Sequence, residues 1–102
     1  MNAKKLAIID LGTNTFHLLI ASIDEREDFS IEEKFKEPVK LGQGGISQGE
    51  IVPEAFARGI KALKKFRKLI DDYALAIEHH VNTGEAVNKD NFRDIKREYE
   101  GR

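Results

Sequence analysis

The chain has 102 residues, 40% of them hydrophobic and 34% charged, which suits one compact globular domain and excludes an intrinsically disordered chain. The absence of cysteine excludes a disulfide scaffold and a thiolate metal site. The formal net charge of −1 excludes charge-driven attraction to nucleic acid or an anionic membrane. Because the N-terminus lacks the apolar run of a signal peptide or a membrane span, we expect a cytoplasmic protein without nucleic-acid or membrane partners.

Three strands are predicted in the first 41 residues. They span residues 5–10, 15–23 and 30–41, where apolar side chains alternate or run together. Gly12 and Asn14 tolerate positive φ, so the first two strands are predicted to form a hairpin. Pro38 cannot donate a hydrogen bond to a ladder, so we expect it at a sheet edge or a bulge.

Helical patterns dominate the second half. Residues 42–50 form a glycine-rich loop, and a long helix starts near Pro53, which suits a first helical turn. Residues 74–81 are predicted to be a fourth strand, and a last helix runs from about Asn88 or Asp90 to Tyr99. The predicted order is βββαβα in a single domain over residues 1–102.

The tip of the predicted hairpin has the sequence D-x-G-T-N-T, from Asp10 to Thr15. Backbone N–H groups and small hydroxyls at a glycine turn can cradle phosphate oxygens, and a carboxylate at a strand end can hold a hydrated Mg²⁺. The alternative is an ordinary polar turn in which the Asp10 carboxylate accepts hydrogen bonds from local N–H groups. The D-x-G-T-N-T pattern alone is compatible with both.

This hairpin, with two further strands and a crossover helix, resembles the superfamily of actin, sugar kinases and heat-shock ATPases. Three segments in order, IDLGTNTFHLLIA, VKLGQGG and PEAFARGIKALKKF, resemble more specifically the exopolyphosphatase and guanosine pentaphosphate phosphohydrolase family. The third contains the E-A-x-x-R-G pattern of that family, and the resemblance covers roughly residues 5–73. It implies a ribonuclease-H-like (actin-like ATPase) half-domain of the α/β class with a mixed sheet.

The family resemblance also implies a function. Its members hydrolyse phosphoanhydride bonds of polyphosphate or guanosine pentaphosphate with Mg²⁺, in a cleft between two such domains. In this chain Asp10 would organise Mg²⁺ through water. The residues that would bind substrate phosphate are Gly12, Thr13, Asn14, Thr15, Lys40, Gly42, Gly44 and, as a weaker candidate, Arg58.

The match weakens after the long helix. Family members have a segment like A-T-[SE]-A-[VL]-R-x-A-x-N, whereas residues 81–92 are VNTGEAVNKDNF and lack the arginine after Val87. The family's general-base glutamate and second phosphate loop fall outside the matched residues. We therefore assign no catalytic residue and expect no turnover by this chain alone. The alternative is a non-catalytic module that binds phosphate or nucleotide, or that forms a homo-oligomer through the face that a second domain would cover.

Other features allow two interpretations each. The GQGG sequence at residues 42–45 is either a turn or a phosphate-binding nest. The basic residues of the long helix form either a solvated face, which is the commoner case, or a track for polyphosphate. Arg58 could also pair with Glu54, four residues earlier on the helix. The three histidines do not converge, so no zinc site is predicted.

Overall fold

The computed structural model describes residues 4–101. They fall into two compact units, which lie within Met1–Phe66 and Arg67–Arg102 and are described separately below. Among the described residues, no helix has the length and apolar character needed to cross a membrane.

The described elements are three strands, a short 3₁₀ turn and two helices. They are β1 (Lys4–Leu11), β2 (Thr15–Ile23), β3 (Phe29–Pro38), the 3₁₀ turn Ile46–Gln48, α1 (Pro53–Thr83) and α2 (Phe92–Glu100). The strands form an antiparallel sheet in the order β1-β2-β3, with a bulge in the β2–β3 pairing. The α/β class is therefore confirmed, and Pro38 ends an edge strand as expected.

The prediction of a fourth strand is wrong, and with it the order βββαβα and the mixed sheet. Residues 74–81 belong to α1, and the sheet of the described chain is antiparallel throughout. Alanine, leucine and glutamate in this stretch favour a helix, and neither glycine nor proline interrupts α1 between Gly59 and Gly84. A helix that is already nucleated extends through such a stretch at little cost. It ends at Gly84, whose φ is 77° and whose N–H donates to the His80 carbonyl.

The core of the first unit lies around β2. Its fully or nearly buried side chains are Phe16, Leu18, Ile20, Ala21, Val39, Ala55, Ala62 and Phe66. The helical members are mostly small, which lets α1 approach closely. A Cβ at Gly59 would lie 3.3 Å from Leu41 Cδ2 and 3.7 Å from the Phe16 ring. This packing seats the first turns of α1 beside the segment that follows β3.

The predicted hairpin is confirmed, but its glycine is needed for a different reason. Leu11 pairs with Phe16, and the Gly12 N–H donates to the Thr15 carbonyl at 3.1 Å. Neither Gly12 nor Asn14 has a positive φ. Instead, a Cβ at Gly12 would lie 2.9 Å from the Thr15 carbonyl oxygen, a distance that real Cβ atoms essentially never show. Close backbone approach, rather than left-handed conformation, therefore demands glycine here.

The second unit is organised around a buried histidine. His79 is 5% exposed; its Nε2 lies 2.7 Å from Glu85 Oε1 and its Nδ1 lies 3.2 Å from the Tyr99 hydroxyl. Tyr99 and the buried Ile95 belong to α2, so the predicted last helix is confirmed, although it starts at Phe92, with Asn91 rather than Asn88 or Asp90 at its N-cap. Because α1 extends through this region, the adjacent His79 and His80 point about 100° apart, and His80 is exposed.

Replacing His79 by alanine should destabilise the second unit. His79→Ala removes both hydrogen bonds and leaves a void, with an expected loss of about 1–3 kcal/mol in the free energy of unfolding. Faster hydrogen exchange of the α2 amides would report this loss. His80→Ala is the matched control and should change stability by less than about 0.5 kcal/mol. Equal effects of the two substitutions would contradict this account of the unit.

Candidate functional site

The candidate site is built where two loops of the first unit meet. One is the hairpin tip, residues 12–15. The other is the segment of residues 39–45 that follows β3; it contains the first part of the predicted glycine-rich stretch and is called the glycine loop from here on. Three backbone hydrogen bonds join them: Val39 N–H to Asn14 O at 2.8 Å, Lys40 N–H to Asn14 O at 3.0 Å, and Leu41 N–H to Thr13 O at 2.8 Å. Segments about 25 residues apart in sequence are thereby held in contact.

The joined loops enclose an open depression of about 580 Å³. Polar side chains and the apolar side chains of Pro38 and Ile46 line it together; the lining residues are Thr13, Asn14, Thr15, Pro38, Lys40, Gly42, Gln43 and Ile46. Five residues predicted from sequence to bind phosphate therefore share one surface: Thr13, Asn14, Thr15, Lys40 and Gly42. Gly12 lines a neighbouring depression of about 310 Å³ together with Thr13 and Gly42.

In the described part of the chain, the hairpin tip has backbone hydrogen-bond donors without a backbone partner. The carbonyl oxygens of Thr13 and Asn14 accept hydrogen bonds from the glycine loop. The amide N–H groups of the same two residues have no backbone acceptor within residues 4–101. Together with the threonine hydroxyls and the Lys40 ammonium, they are candidate donors for an anion.

Lys40 has an unusual backbone conformation. Its φ is 45°, the left-handed region that costs a non-glycine residue on the order of 1–2 kcal/mol. Hydrogen bonds hold the residue on both sides: its N–H donates to Asn14, and its carbonyl accepts from Gln43 N–H and from Arg58. The surrounding bonds fix the backbone of Lys40, which is one of the residues that line the depression.

Arg58 acts on the glycine loop from the first turns of α1. Its Nε donates to the Val39 carbonyl at 2.9 Å, and its Nη2 donates to the Lys40 carbonyl and to Gln43 Oε1, both at 3.1 Å. These bonds all go to the loop rather than to Glu54, the partner that helix spacing suggested. Arg58 does not line the depression, so its part in the site is to hold the loop that does.

Two other predicted residues lie apart from the depression's lining. Gly44 has a φ of 87° and turns the glycine loop, which explains why glycine stands there. Asp10 is the penultimate residue of β1; it is exposed and lies opposite His17 in the hairpin. Within residues 4–101, no group of three or more histidine or acidic side chains is placed to hold a metal ion.

Sequence reasoning missed Gln43. Its side chain lines the depression, and its amide oxygen is held by Arg58. The available signal was its position inside a glycine loop already thought to bind phosphate. Its partner could not be inferred, because the two residues are 15 positions apart and meet only through the packing of α1.

We expect Arg58→Lys to loosen the glycine loop, because an ammonium cannot reproduce the fork that reaches three acceptors. Amide hydrogen exchange at Val39–Gln43 should become about tenfold faster, which corresponds to the loss of roughly 1.4 kcal/mol. Arg67→Lys is the control, because Arg67 bonds to the exposed Asp71 on its own helix. Unchanged exchange in the Arg58 variant would show that the loop holds its shape without this clamp.

No family model matches the chain, but individual relatives do. It is 36% identical over 95 residues to a bifunctional 3-dehydroquinate synthase/phosphatase of Fusobacterium nucleatum, over 84% of this chain and 14% of that protein. It is 31% identical over 94 residues to a putative exopolyphosphatase of Haemophilus influenzae, over 89% of this chain and 29% of that protein. It is 35% identical over 101 residues to exopolyphosphatase 2 of Mycobacterium tuberculosis; the match covers 90% of this chain and 31% of that protein. The chain thus spans less than a third of these relatives.

Solved structures agree with the sequence relatives. An exopolyphosphatase from Cytophaga hutchinsonii matches 70% of this chain and 22% of its own, with 44% identity and a TM-score of 0.65. A PPX-GPPA enzyme of Aquifex aeolicus matches 71% of this chain and 24% of its own, with 29% identity and a TM-score of 0.63. In sequence and in fold, the chain is similar to the N-terminal portion of proteins of the exopolyphosphatase (Ppx/GppA) family, which have an actin-like ATPase fold.

Proposed function

We propose that the first unit forms the phosphate-binding part of an enzyme that hydrolyses phosphoanhydride bonds of polyphosphate. The observation that carries this proposal is the junction of the hairpin tip with the glycine loop, which gathers five candidate phosphate-binding residues around one depression. Relatives named exopolyphosphatase support the substrate class.

In this proposal the depression binds a terminal phosphate through donors of three kinds. The amide N–H groups of Thr13 and Asn14 offer neutral donors on a rigid turn. The hydroxyls of Thr13 and Thr15 add donors that can rotate towards an oxygen. The Lys40 ammonium supplies the positive charge, and charge-assisted hydrogen bonds of this kind are about twice as strong as neutral ones.

The residues present fit a hydrated magnesium ion better than a tightly coordinated metal. Asp10 offers one exposed carboxylate, and within residues 4–101 it belongs to no group of three or more acidic or histidine side chains that could hold a metal ion. Mg²⁺ suits such a site because it keeps several waters and takes further ligands from substrate phosphates. When bound, it would offset the negative charge of the phosphoryl groups, while Asp10 fixes its position beside the hairpin tip.

Turnover needs a group that the depression does not contain. None of its lining side chains is a carboxylate or an imidazole, so none can serve as a general base for an attacking water. We therefore assign these residues to binding and orientation, with the base supplied from outside the depression.

The same observation favours a second candidate function, binding of phosphate or nucleotide without hydrolysis. Guanosine pentaphosphate has similar terminal phosphoanhydrides. Whether the chain's function is hydrolysis or binding alone, guanosine pentaphosphate would compete with polyphosphate for the depression.

The direct test is calorimetric titration of the chain with tripolyphosphate in the presence of Mg²⁺. Lys40→Gln should weaken binding about tenfold or more, since a hydrogen bond to a charged group contributes about 1.5–3 kcal/mol. Lys61→Gln removes an exposed helical lysine and should leave the affinity unchanged. Equal affinities of both variants, or no binding by the wild-type chain, would contradict the proposed site.

The proposed role of Asp10 predicts a change in magnesium dependence. In the wild-type chain, added Mg²⁺ should strengthen tripolyphosphate binding, and Asp10→Asn should remove most of that gain while leaving magnesium-free binding nearly intact. Asp90→Asn, in an exposed turn, is the matched control and should keep the full gain. If Asp10→Asn retains it as well, the carboxylate does not organise the metal.

A further inference from the structure

The outer edge of β1 is open in the described structure. All eight residues of β1 are exposed, including Leu6, Ile8, Ile9 and Leu11, and within residues 4–101 β1 pairs only with β2. Residues 74–81 are helical and do not pair with it. An edge strand about 25 Å long, free of proline and bulges, is a template for pairing with another strand.

We infer that β1 pairs antiparallel with β1 of a second copy of this chain. Strand alternation places Lys4, Leu6, Ile8 and Asp10 on one face of β1. In a two-fold antiparallel pair, directly opposed residues lie on the same face of the sheet, so both have even numbers or both have odd numbers. The two residue numbers of each opposed pair therefore add up to the same even value, which defines the register. A sum of 14 sets Lys4 against Asp10 at both ends and Leu6 against Ile8 between them.

Charge complementarity selects this register over its neighbours. A sum of 12 sets Lys4 against Ile8, and a sum of 16 sets Leu6 against Asp10, so neither register gives an oppositely charged pair. Only the sum of 14 gives two oppositely charged pairs, and on that face leucine and isoleucine lie between them. On the opposite face the same register sets Lys5 against Ile9 and Ala7 against Ala7. The strand is thus self-complementary, as an isologous interface requires.

The expected dimer is weak. A contact between two single strands is smaller than standard protein interfaces, so we expect a dissociation constant on the order of 10–100 µM. The contact uses the Asp10 carboxylate, so the tests are made without added divalent cation. The inference does not depend on the proposed function, because the open edge and its charge pattern exist whether or not the depression binds phosphate.

A cysteine cross-link tests the register directly. Ala7 lies on the two-fold axis of the proposed pair, where the opposed Cα atoms would be about 4.5–5.5 Å apart, within the range that disulfides bridge. The chain contains no cysteine, so any disulfide of Ala7→Cys joins two copies. We expect oxidation to cross-link this variant at least about tenfold faster than Lys61→Cys on α1. Equal rates would overturn the inference.

Charge reversal gives an independent test by sedimentation equilibrium. Lys4→Glu and Asp10→Lys each create two repulsive pairs in a homodimer, so each variant alone should dimerise at least about tenfold more weakly than the wild type. Mixed in equal amounts, the two variants should associate again, because the carboxylate introduced at position 4 of one chain would then oppose the ammonium introduced at position 10 of the other. A mixture of the surface variants Lys61→Glu and Glu78→Lys should behave as the wild type. A wild-type chain that stays monomeric up to about 500 µM, or a mixture that fails to associate, would overturn the proposed pairing.

Discussion

Three backbone hydrogen bonds between the glycine loop and the hairpin tip hold the candidate site of the first unit together. They connect residues 39–41 to the carbonyl oxygens of Thr13 and Asn14. Because those carbonyls accept hydrogen bonds from the loop, the other polar groups of Thr13, Asn14 and Thr15 are their N–H groups, the threonine hydroxyls and the Asn14 side-chain amide. Lys40 adds an ammonium from the adjoining loop. A loop that folded elsewhere would leave a bare hairpin turn, which is the ordinary polar-turn alternative for this sequence.

The junction is reinforced from both sides. Gly12 allows the hairpin to close tightly on the Thr15 carbonyl, and Arg58 holds three acceptors of the glycine loop from α1. The left-handed backbone of Lys40 is tolerated because its N–H and carbonyl are both bonded. In the proposed site, such preorganisation would place the donors before a ligand arrives and so would reduce the entropy lost on binding. It also explains why an arginine in a family pattern need not touch the ligand to matter.

Much of this arrangement could be predicted from the sequence, for identifiable reasons. Alternation and turn residues locate the first hairpin, and the order of three family-like segments anticipates that residues 13–15 and 40–42 lie together. The prediction of a fourth strand failed because residues 74–81 form a short apolar run whose periodicity fits a helix equally well, and α1 extends into this run. The partners of Arg58 were missed because they depend on the packing of α1 against the end of β3. The predicted roles of Asp10, Gly44 and the phosphate-binding residues remain predictions.

The basic face of α1 offers a different place for a polyanion, and one experiment separates it from the depression. Amide chemical shifts of the ¹⁵N-labelled chain would be followed during titration with tripolyphosphate and Mg²⁺. This account predicts that the largest shifts occur at Thr13, Asn14 and Gly42. Shifts concentrated around Lys61, Lys64, Lys65 and Lys68, with the hairpin tip unchanged, would contradict it.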